Sequence, residues 1–396
     1  MKSAILGIVL VATSLVLRLY HHAPAVPGID SYAYLQGALA LYPNLTFAVF
    51  VGIALTLLSV FLTRKLAVRL NLHDLTWIFS LSPYFIYTSI FATTSTLAQP
   101  LILGILLAYF SGYGMLLYFL AFLLGWLGIA HTVVALLMLI LFKKKPWIVV
   151  PSLLYYLAHP AFVRTRGLLV EFGSPVGLSS FAVLLALVGV VLAWKYKTKY
   201  YWIFLSTFLV LVTSIWEQTL LVYSNIVICL LVASAFSGIR KARWELRDVK
   251  HFFLILLFCG LLFSDISYAT TVGRMAPDQQ MQDALRFLRI QAPHGAVVFS
   301  SPKNGYWIGY FSKLTPYATT RQVRDSPYFL ATSNLDELIF FMSRNEITYV
   351  VLTRDMVTDS WDGPERGMPY LVQNKDIFDR IYENPSVRIY HFRGKR

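Results

Sequence analysis

Residues 220–238 read LLVYSNIVICLLVASAFSG, and a basic stretch at 240–250 follows them almost directly. The first stretch carries no charged side chain, and as an α-helix it would be about 28 Å long, close to the ~30 Å hydrocarbon core of a bilayer. Lys and Arg accumulate in the cytoplasmic loops of membrane proteins. The sequence therefore predicts a transmembrane helix whose carboxyl end faces the cytoplasm.

The same pattern recurs along the first two thirds of the chain. Apolar runs lie at 3–20, 44–63, 75–92, 97–111, 115–129, 130–142, 147–163, 178–194, 201–217, 220–238 and 252–268. These runs predict a polytopic α-helical membrane domain with about eleven transmembrane helices. Residues 97–142 also allow one long span in place of three, and this alternative leaves the orientation of the other helices unchanged.

Four basic clusters indicate the orientation. Each follows an even-numbered run, and they comprise Arg64, Lys65 and Arg69; Lys143–Lys145; Lys195, Lys197 and Lys199; and Arg240–Lys250. With the amino terminus in the cytoplasm, all four lie inside and the carboxyl-terminal region lies outside. We expect a multi-pass protein of a prokaryotic plasma membrane or of the endoplasmic reticulum.

Composition separates the chain into two parts. Of its 396 residues 57% are hydrophobic and 14% are charged, and the mean hydropathy is +0.61. Residues 1–266 hold 18 Lys and Arg against 7 Asp and Glu, whereas residues 267–396 hold 16 against 13. The basic residues of the first part lie between apolar runs, so the net charge of +14 indicates membrane topology and not nucleic-acid binding. We expect a transmembrane domain at 1–268 and an extracytoplasmic domain at 269–396.

The carboxyl-terminal part alternates helical and strand patterns. Helices are predicted after Pro277, over Asn334–Asn345 and near 375–383, and strands over 296–299, Ile347–Thr353 and Val387–Phe392. Such an order predicts a small α/β domain with a sheet of three or more strands.

Ionisable residues near hydrocarbon are costly, so those on the predicted outer side are the first candidates for a functional site. They are Arg18, His21, His22, Asp30, His159, Arg164, Arg166, Glu171, Glu217 and Asp265. An external basic pair such as Arg164 and Arg166 suits the phosphate of a lipid carrier. It also suits anionic headgroups or a contact with the carboxyl-terminal domain. Asp30 can cap a helix or can orient and deprotonate an acceptor hydroxyl.

Four stretches carry a family resemblance. They are Asp30-Ser31-Tyr32-Ala33-Tyr34, Ser82–Ser89, Leu169–Pro175 and Ala296–Thr319. Their order and content resemble the membrane-embedded glycosyltransferases of the C-type fold, which use polyprenyl-phosphate-linked sugars, and most of all the catalytic subunit of oligosaccharyltransferase and its archaeal single-chain relatives.

The resemblance implies roles for individual residues. Asp30 and Glu171 would be the catalytic loop acids. From their charge and predicted external position, Arg164 and Arg166, with His159 or Lys303 in support, are the candidates to bind the lipid phosphate of the donor. Four further residues are candidate substrate contacts, and they are Tyr32, Tyr34, Arg321 and Arg324. For the two arginines a solvated surface is the alternative.

Two departures from the family are visible. Ala92-Thr93-Thr94-Ser95-Thr96-Leu97 stands where the family has paired acids that bind a divalent metal, and hard cations need several oxygen ligands. We therefore expect no metal cofactor, or weak divalent-cation binding at Asp30 and Glu171. Ser301–Tyr306 replaces the family's Trp-Trp-Asp-Tyr-Gly motif, which argues against transfer to Asn in a protein sequon.

The sequence thus predicts an integral membrane glycosyltransferase that moves a sugar from a polyprenyl-phosphate-type lipid to an acceptor glycan, lipid or protein outside the cytoplasm, with membrane lipid and a membrane protein as candidate partners. Two alternatives stay open. One is a non-catalytic relative that binds lipid-linked glycan or acts as an assembly partner. The other is a transporter of lipid-linked sugars, which should show polar residues deep in several helices and an internal repeat.

Overall fold

A computed structural model describes residues 2–20, 32, 45–91, 93–127, 129–142, 144–158, 169–170, 174, 177–194, 208–214, 217–275, 277–319, 322–357 and 367–394. The chain forms two compact units. The first comprises Met1–Arg18 and Thr46–Arg274, and the second comprises Leu19–Leu45 and Met275–Arg396.

The first unit is helical. Its described helices are α1 Lys2–Tyr20, α2 Leu45–Arg69, α3 Leu75–Ser80, α4 Pro83–Ile90, α5 Thr94–Ser111, α6 Gly114–Gly125, α7 Ile129–Leu141, α8 Val150–Ala158, α9 Ser180–Ala193, α10 Leu221–Lys241 and α11 Arg247–Arg274. Within the described ranges, four helical stretches are long and apolar enough to cross a membrane, and they lie in α2, α5, α10 and α11. Shorter apolar helices lie in α6, α7 and α9. The predicted helical membrane protein is confirmed.

Local sequence explains where several helices begin and end. The predicted run 75–92 is divided because Pro83 begins a new helix and the Ser82 hydroxyl caps it by accepting a hydrogen bond from the Phe85 amide at 3.2 Å. Gly112 ends α5 in the left-handed conformation, at a φ of 80°. Residues 97–142 therefore contribute to three helices, α5, α6 and α7, and not to one long span.

Three of the four basic clusters lie at one end of the first unit. Arg69 Nε donates to the Phe110 carbonyl at 3.0 Å, so α2 and α5 end side by side. Past the end of α2, Asp74 forms a 3.2 Å ion pair with Arg240 at the end of α10. Tyr109 stacks on Phe142, which brings the residues before Lys144 to the same end. This common location agrees with the predicted parity, while the fourth cluster, at 195–199, lies outside the described residues. The assignment of this end to the cytoplasm stays a prediction.

The second unit is a small α/β domain, as predicted. Its helices are α12 Gln279–Gln291, α13 Ser326–Ala331, α14 Leu335–Arg344 and α15 Met368–Leu371, and short helical turns occupy 302–312. Its strands are β1 Val297–Phe299, β2 Thr315–Pro316, β3 Ile347–Thr353, β4 Phe378–Glu383 and β5 Val387–Phe392, in the order β2-β1-β3-β5-β4. The β2, β1 and β3 strands are parallel, whereas β5 and β4 are antiparallel additions. A core that includes Phe299, Leu338 and Val350 lies between the sheet and its helices.

One element of this domain was predicted wrongly. Residues 375–383 were expected to form a short helix, but Phe378–Glu383 is strand β4, paired with β5. The Asn384 side chain makes the connecting turn, since its Oδ1 accepts hydrogen bonds from the amides of Ser386 and Val387 at 2.9 and 2.7 Å. Pairing with β5 therefore determines that Phe378–Glu383 is a strand, because the hydrophobic pattern of this short segment does not distinguish a strand from a helix.

Candidate functional site

The candidate site described by the structure lies at the carboxyl ends of three parallel strands in the second unit. β1 is central and pairs with β2 and with β3, so the residues that follow these strands lie along the same edge of the sheet. Crevices at such edges are the usual binding sites of sheets with parallel strands. Lys303 and Asn304 follow β1, Arg324 follows β2, and Asp355 follows β3.

Asn304 holds the segments after β1 and β3 together. It is buried, and its Nδ2 donates to Ser300 Oγ at 3.0 Å and lies 3.2 Å from Thr353 Oγ1. Ser300 Oγ donates in turn to the Val351 carbonyl at 2.6 Å, and Thr353 Oγ1 donates to the Asp355 carboxylate. This network fixes the backbone that carries Lys303 on one side and Asp355 on the other.

The turn after β1 requires glycine at position 305. A Cβ atom there would lie 2.2 Å from the Ala318 carbonyl oxygen, closer than any real contact. The strand and loop of residues 315–319 therefore pack directly on the 302–312 turns. A second contact joins the segments that follow β1 and β2, because the Ser326 hydroxyl donates to the Ser300 carbonyl at 3.1 Å.

Two of the predicted cationic contacts, Lys303 and Arg324, belong to this edge and are exposed. The Arg324 guanidinium lies over the ring of the buried Tyr317, 5.1 Å from its centroid. Burial raises the pKa of the Tyr317 phenol; Asp325 adds to the rise, and Arg324 opposes it. The Tyr317 phenol is therefore uncharged at neutral pH. Its ring orients the Arg324 guanidinium through a cation–π contact.

Tyr32 is fully buried in the second unit. Its ring lies 5.1 Å from the ring of Tyr310 and 5.5 Å from that of Phe311, both in the turns that follow Lys303. Tyr32 is two positions from Asp30 in the chain. Tyr32, a residue of the predicted catalytic loop, therefore packs on the turns that follow Lys303.

The other predicted site residues lie outside the described residues. They are Asp30, Tyr34, His159, Arg164, Arg166, Glu171 and Arg321. Their predicted roles and their convergence stay predictions.

Sequence reasoning missed Asn304, Thr353 and Asp355. Asn304 lies in the segment Ala296–Thr319, which carries part of the family resemblance. Its role in joining the ends of β1 and β3 depends on Thr353, which is 49 positions away. Only the general rule that polar residues after parallel strands share an edge could have selected Thr353 and Asp355 in advance.

The first unit contains polar groups of its own. Arg18 is fully buried, and its Nη1 donates to the Val272 carbonyl at 2.8 Å. His131 Nδ1 and the Tyr223 hydroxyl are 2.8 Å apart, also in a buried setting. Asp265 is fully buried, and its carboxylate oxygens make no hydrogen bond within the described part of the chain. Arg18 and Asp265 are two of the ionisable residues that the sequence placed near the outer side.

Metal ligands are not clustered in the part of the protein that the structure describes, where no group of three or more His, Cys, Asp or Glu side chains could hold an ion. The candidate edge offers instead the cations Lys303 and Arg324, the carboxylate of Asp355 and the hydrogen-bonded amide of Asn304. Such a set can bind an anionic or polyhydroxylated ligand by charge and hydrogen bonds.

These features define a helical membrane protein with an appended α/β domain. The same fold occurs in the oligosaccharyltransferase of Archaeoglobus fulgidus, whose structure with zinc and sulfate gives a TM-score of 0.57 at 12% identity over 88% of this chain and 68% of that one. The structure of that enzyme tethered to an acceptor peptide with an NVT sequon gives 0.49 at 12% identity, and its complex with an inhibitory peptide and a dolichol-phosphate gives 0.49 at 11%.

In those last two comparisons 87% of this chain is covered, but the chain spans only 64% and 65% of the oligosaccharyltransferase. No family model matches the chain, and no curated protein matches it. The similarity is therefore one of fold.

Proposed function

We propose that this chain is an integral membrane glycosyltransferase that moves a sugar from a polyprenyl-phosphate-linked donor to an acceptor on the extracytoplasmic face of the membrane. The observation that carries the proposal is the fold shared with an oligosaccharyltransferase over 88% of the chain, at a TM-score of 0.57. One fold can host several functions, so the proposal also depends on the acids and cations of the predicted site.

The proposed reaction is a displacement at the anomeric carbon of the donor sugar. A nucleophilic atom of the acceptor forms a bond to that carbon, and the bond from the carbon to the lipid phosphate oxygen breaks. The Asp30 carboxylate takes the proton of the acceptor, and the lipid phosphate leaves with the electron pair of the broken bond. In this scheme Glu171 binds the sugar or the acceptor.

The anchoring of Tyr32 supports the role of Asp30. A general base must be held within hydrogen-bond reach of the proton that it removes. Tyr32, two positions further along the chain, packs on Tyr310 and Phe311. Tyr32 is thus a positioning residue in the proposal, since its ring is fully buried.

Cations neutralise the leaving phosphate in the proposed mechanism. Arg164 and Arg166 are assigned this role by their position in the predicted external loop, with His159 in support. Lys303 is exposed at the end of β1, where it is free to contact an anionic donor. Arg324 and Arg321 are assigned to the sugar or the phosphate.

We propose that the reaction does not require a metal. The support is the sequence Ala92–Leu97, which has no carboxylate where a metal-binding glycosyltransferase of this kind has paired acids. Weak binding of a divalent cation at Asp30 and Glu171 is the competing possibility. Removal of divalent cations separates the two.

The acceptor is proposed to be something other than Asn in a sequon. Ser301–Tyr306 stands in place of the family's acceptor motif, and Asn304 is occupied by the network that joins the ends of β1 and β3. An acceptor glycan, lipid or other protein group would instead meet the exposed Lys303, Arg324 and Asp355.

The test is sugar transfer by the purified full chain in lipid vesicles, with radiolabelled polyprenyl-phosphate sugars as donors and with or without EDTA. Asp30→Asn removes the proposed base. Asp376→Asn is the matched control, because Asp376 is exposed and, among the described residues, makes a hydrogen bond only through its backbone amide, to Asn374. We expect transfer that survives EDTA, is lost in Asp30→Asn and is kept in Asp376→Asn.

Other outcomes are equally informative. Loss of transfer with EDTA would replace the metal-independent mechanism with a cation site. Donor binding without transfer to any acceptor class would support the non-catalytic relative, which the missing acids of 92–97 favour.

A further inference from the structure

A large groove runs along the first unit between α2 on one side and α5 and α6 on the other. Its volume is about 1480 Å³. Ligand pockets for drug-sized molecules are roughly 300–1,000 Å³, so this groove is large for a compact ligand and suits a long amphiphile. The described residues that line it include none of those assigned to the proposed transferase site.

The groove arises from the way α2 packs. At Gly52 the helix approaches α4 so closely that an added Cβ would lie 2.8 Å from the Ser89 carbonyl oxygen. At its other end Arg69 is hydrogen-bonded to the Phe110 carbonyl. Between the contacts of Gly52 and Arg69, α2 is separated from α5 and α6. The space between these helices is the groove.

The walls of the groove are apolar. α2 lines it from Leu55 to Arg69, about 21 Å at 1.5 Å per residue. One leaflet of a bilayer has a hydrocarbon thickness of roughly 15 Å, half of the ~30 Å core, so the groove can hold an extended acyl chain. The opposing wall includes Leu101 and Leu120.

The groove ends in cations. Arg64, Lys65 and Arg69 line this end and are exposed, and the described lining contains no Asp or Glu. Arg69 uses its Nε on Phe110, which fixes the guanidinium where α2 meets α5. Lys65 Nζ lies 5.6 Å from the centroid of the Phe61 ring, also in the lining. An apolar groove that ends in three cationic side chains is complementary to a lipid with an anionic phosphate headgroup.

We infer that this groove is a binding site for an anionic membrane phospholipid. One acyl chain lies between α2 and the α5–α6 pair, and the phosphate is bound by Arg64, Lys65 and Arg69. The lipid fills the gap between the described parts of α2, α5 and α6 and joins α2 to the rest of the unit. This role is separate from the sugar donor, and it holds whether or not the chain is a transferase.

The experiment measures binding of phosphatidylglycerol to the full chain in detergent, by native mass spectrometry and by the shift of Tm during titration, with phosphatidylcholine as the neutral comparison. Bound ligand raises Tm by mass action. We expect stoichiometric retention of phosphatidylglycerol, and affinity lower by about tenfold or more in Arg64→Gln/Lys65→Gln.

Two further variants separate this site from general attraction to basic surfaces. Arg243→Gln/Arg247→Gln removes the same charge from the Arg240–Lys250 cluster, whose residues are not among those lining the groove, and it should bind like the wild type. Leu58→Trp keeps every charge but narrows the groove at a wall residue that is 43% exposed, and it should weaken binding.

Equal loss in the two charge variants, or unchanged binding in Leu58→Trp, would overturn the groove site in favour of surface attraction. Retention of polyprenyl phosphate but not of phosphatidylglycerol would overturn the assignment of the ligand.

Discussion

The buried guanidinium of Arg18 donates a hydrogen bond to the carbonyl of Val272, 254 positions later in the chain. Val272 lies in the last turn of α11, where carbonyl groups have no partner within the helix. Leu17 and Gly273 also meet at this point, since a Cβ on Gly273 would lie 2.9 Å from Leu17 Cβ. An ionic side chain thus joins the first helix to α11.

Replacement of Arg18 should destabilise the membrane unit. Arg18→Met removes a charged hydrogen bond and leaves the Val272 carbonyl buried without it, so we expect a loss of about 1.5–3 kcal/mol in the free energy of unfolding. The measurement is thermal unfolding of the full chain in detergent. Arg243→Met, at an exposed position, is the matched control and should unfold like the wild type. Equal stability of the two variants would contradict a structural role for Arg18.

Gly305 should not tolerate even the smallest side chain. Gly305→Ala places a methyl group 2.2 Å from the Ala318 carbonyl, so the backbone after β1 or β2 must shift, at a cost of about 1–3 kcal/mol. Gly114→Ala is the control, because the nearest atom to its added Cβ is 4.0 Å away. Denaturation of the carboxyl-terminal unit, followed in the full chain by limited proteolysis, checks the difference. A Gly305→Ala protein as resistant as Gly114→Ala would show that the turn is less constrained than the packing indicates.

Lys303 should contribute to donor affinity if the sheet edge belongs to the transfer site. Loss of one charge-assisted contact is worth about 1.5–3 kcal/mol, or roughly tenfold or more in the dissociation constant. Titration of Lys303→Met with a polyprenyl-phosphate sugar measures this effect. Lys375→Met removes an exposed lysine from the turn before β4 and should bind normally. An unchanged affinity in Lys303→Met would remove Lys303 from the site without affecting the role of Asp30.

The stability of the carboxyl-terminal unit should fall at alkaline pH. Burial raises the pKa of the Tyr317 phenol above its ordinary value near 10, so the folded state binds this proton more tightly than the unfolded state. Its contribution is complete below pH ~10 and is lost as the pH rises through the folded pKa.

Tyr317→Phe should therefore flatten the alkaline limb of a plot of unfolding midpoint against pH. Tyr349 and Tyr390, whose pKa values are also raised by burial, should preserve part of the slope. The measurement is intrinsic fluorescence during denaturation at a series of pH values. An identical alkaline limb in Tyr317→Phe and the wild type would show that this phenol is not the group that titrates.

Much of the secondary structure could be predicted because the residues of each segment determine its conformation without distant partners. The run at 220–238 corresponds to α10, and the Ile347–Thr353 and Val387–Phe392 patterns correspond to β3 and β5 with the predicted bounds. Length and polarity settle such elements without reference to the rest of the chain. The error at 375–383 has the opposite cause, since β4 depends on the Asn384 turn and on pairing with β5.

The sequence by itself determined a membrane protein of apolar helices with a separate α/β domain, because hydrocarbon thickness and the cost of buried charge act on each segment independently. Only the tertiary structure decided which distant residues meet: Asn304 with Thr353, Arg18 with Val272, and Arg69 with Phe110. These contacts join residues 41 to 254 positions apart, and their energies depend on distance and burial, which no local pattern of side chains specifies.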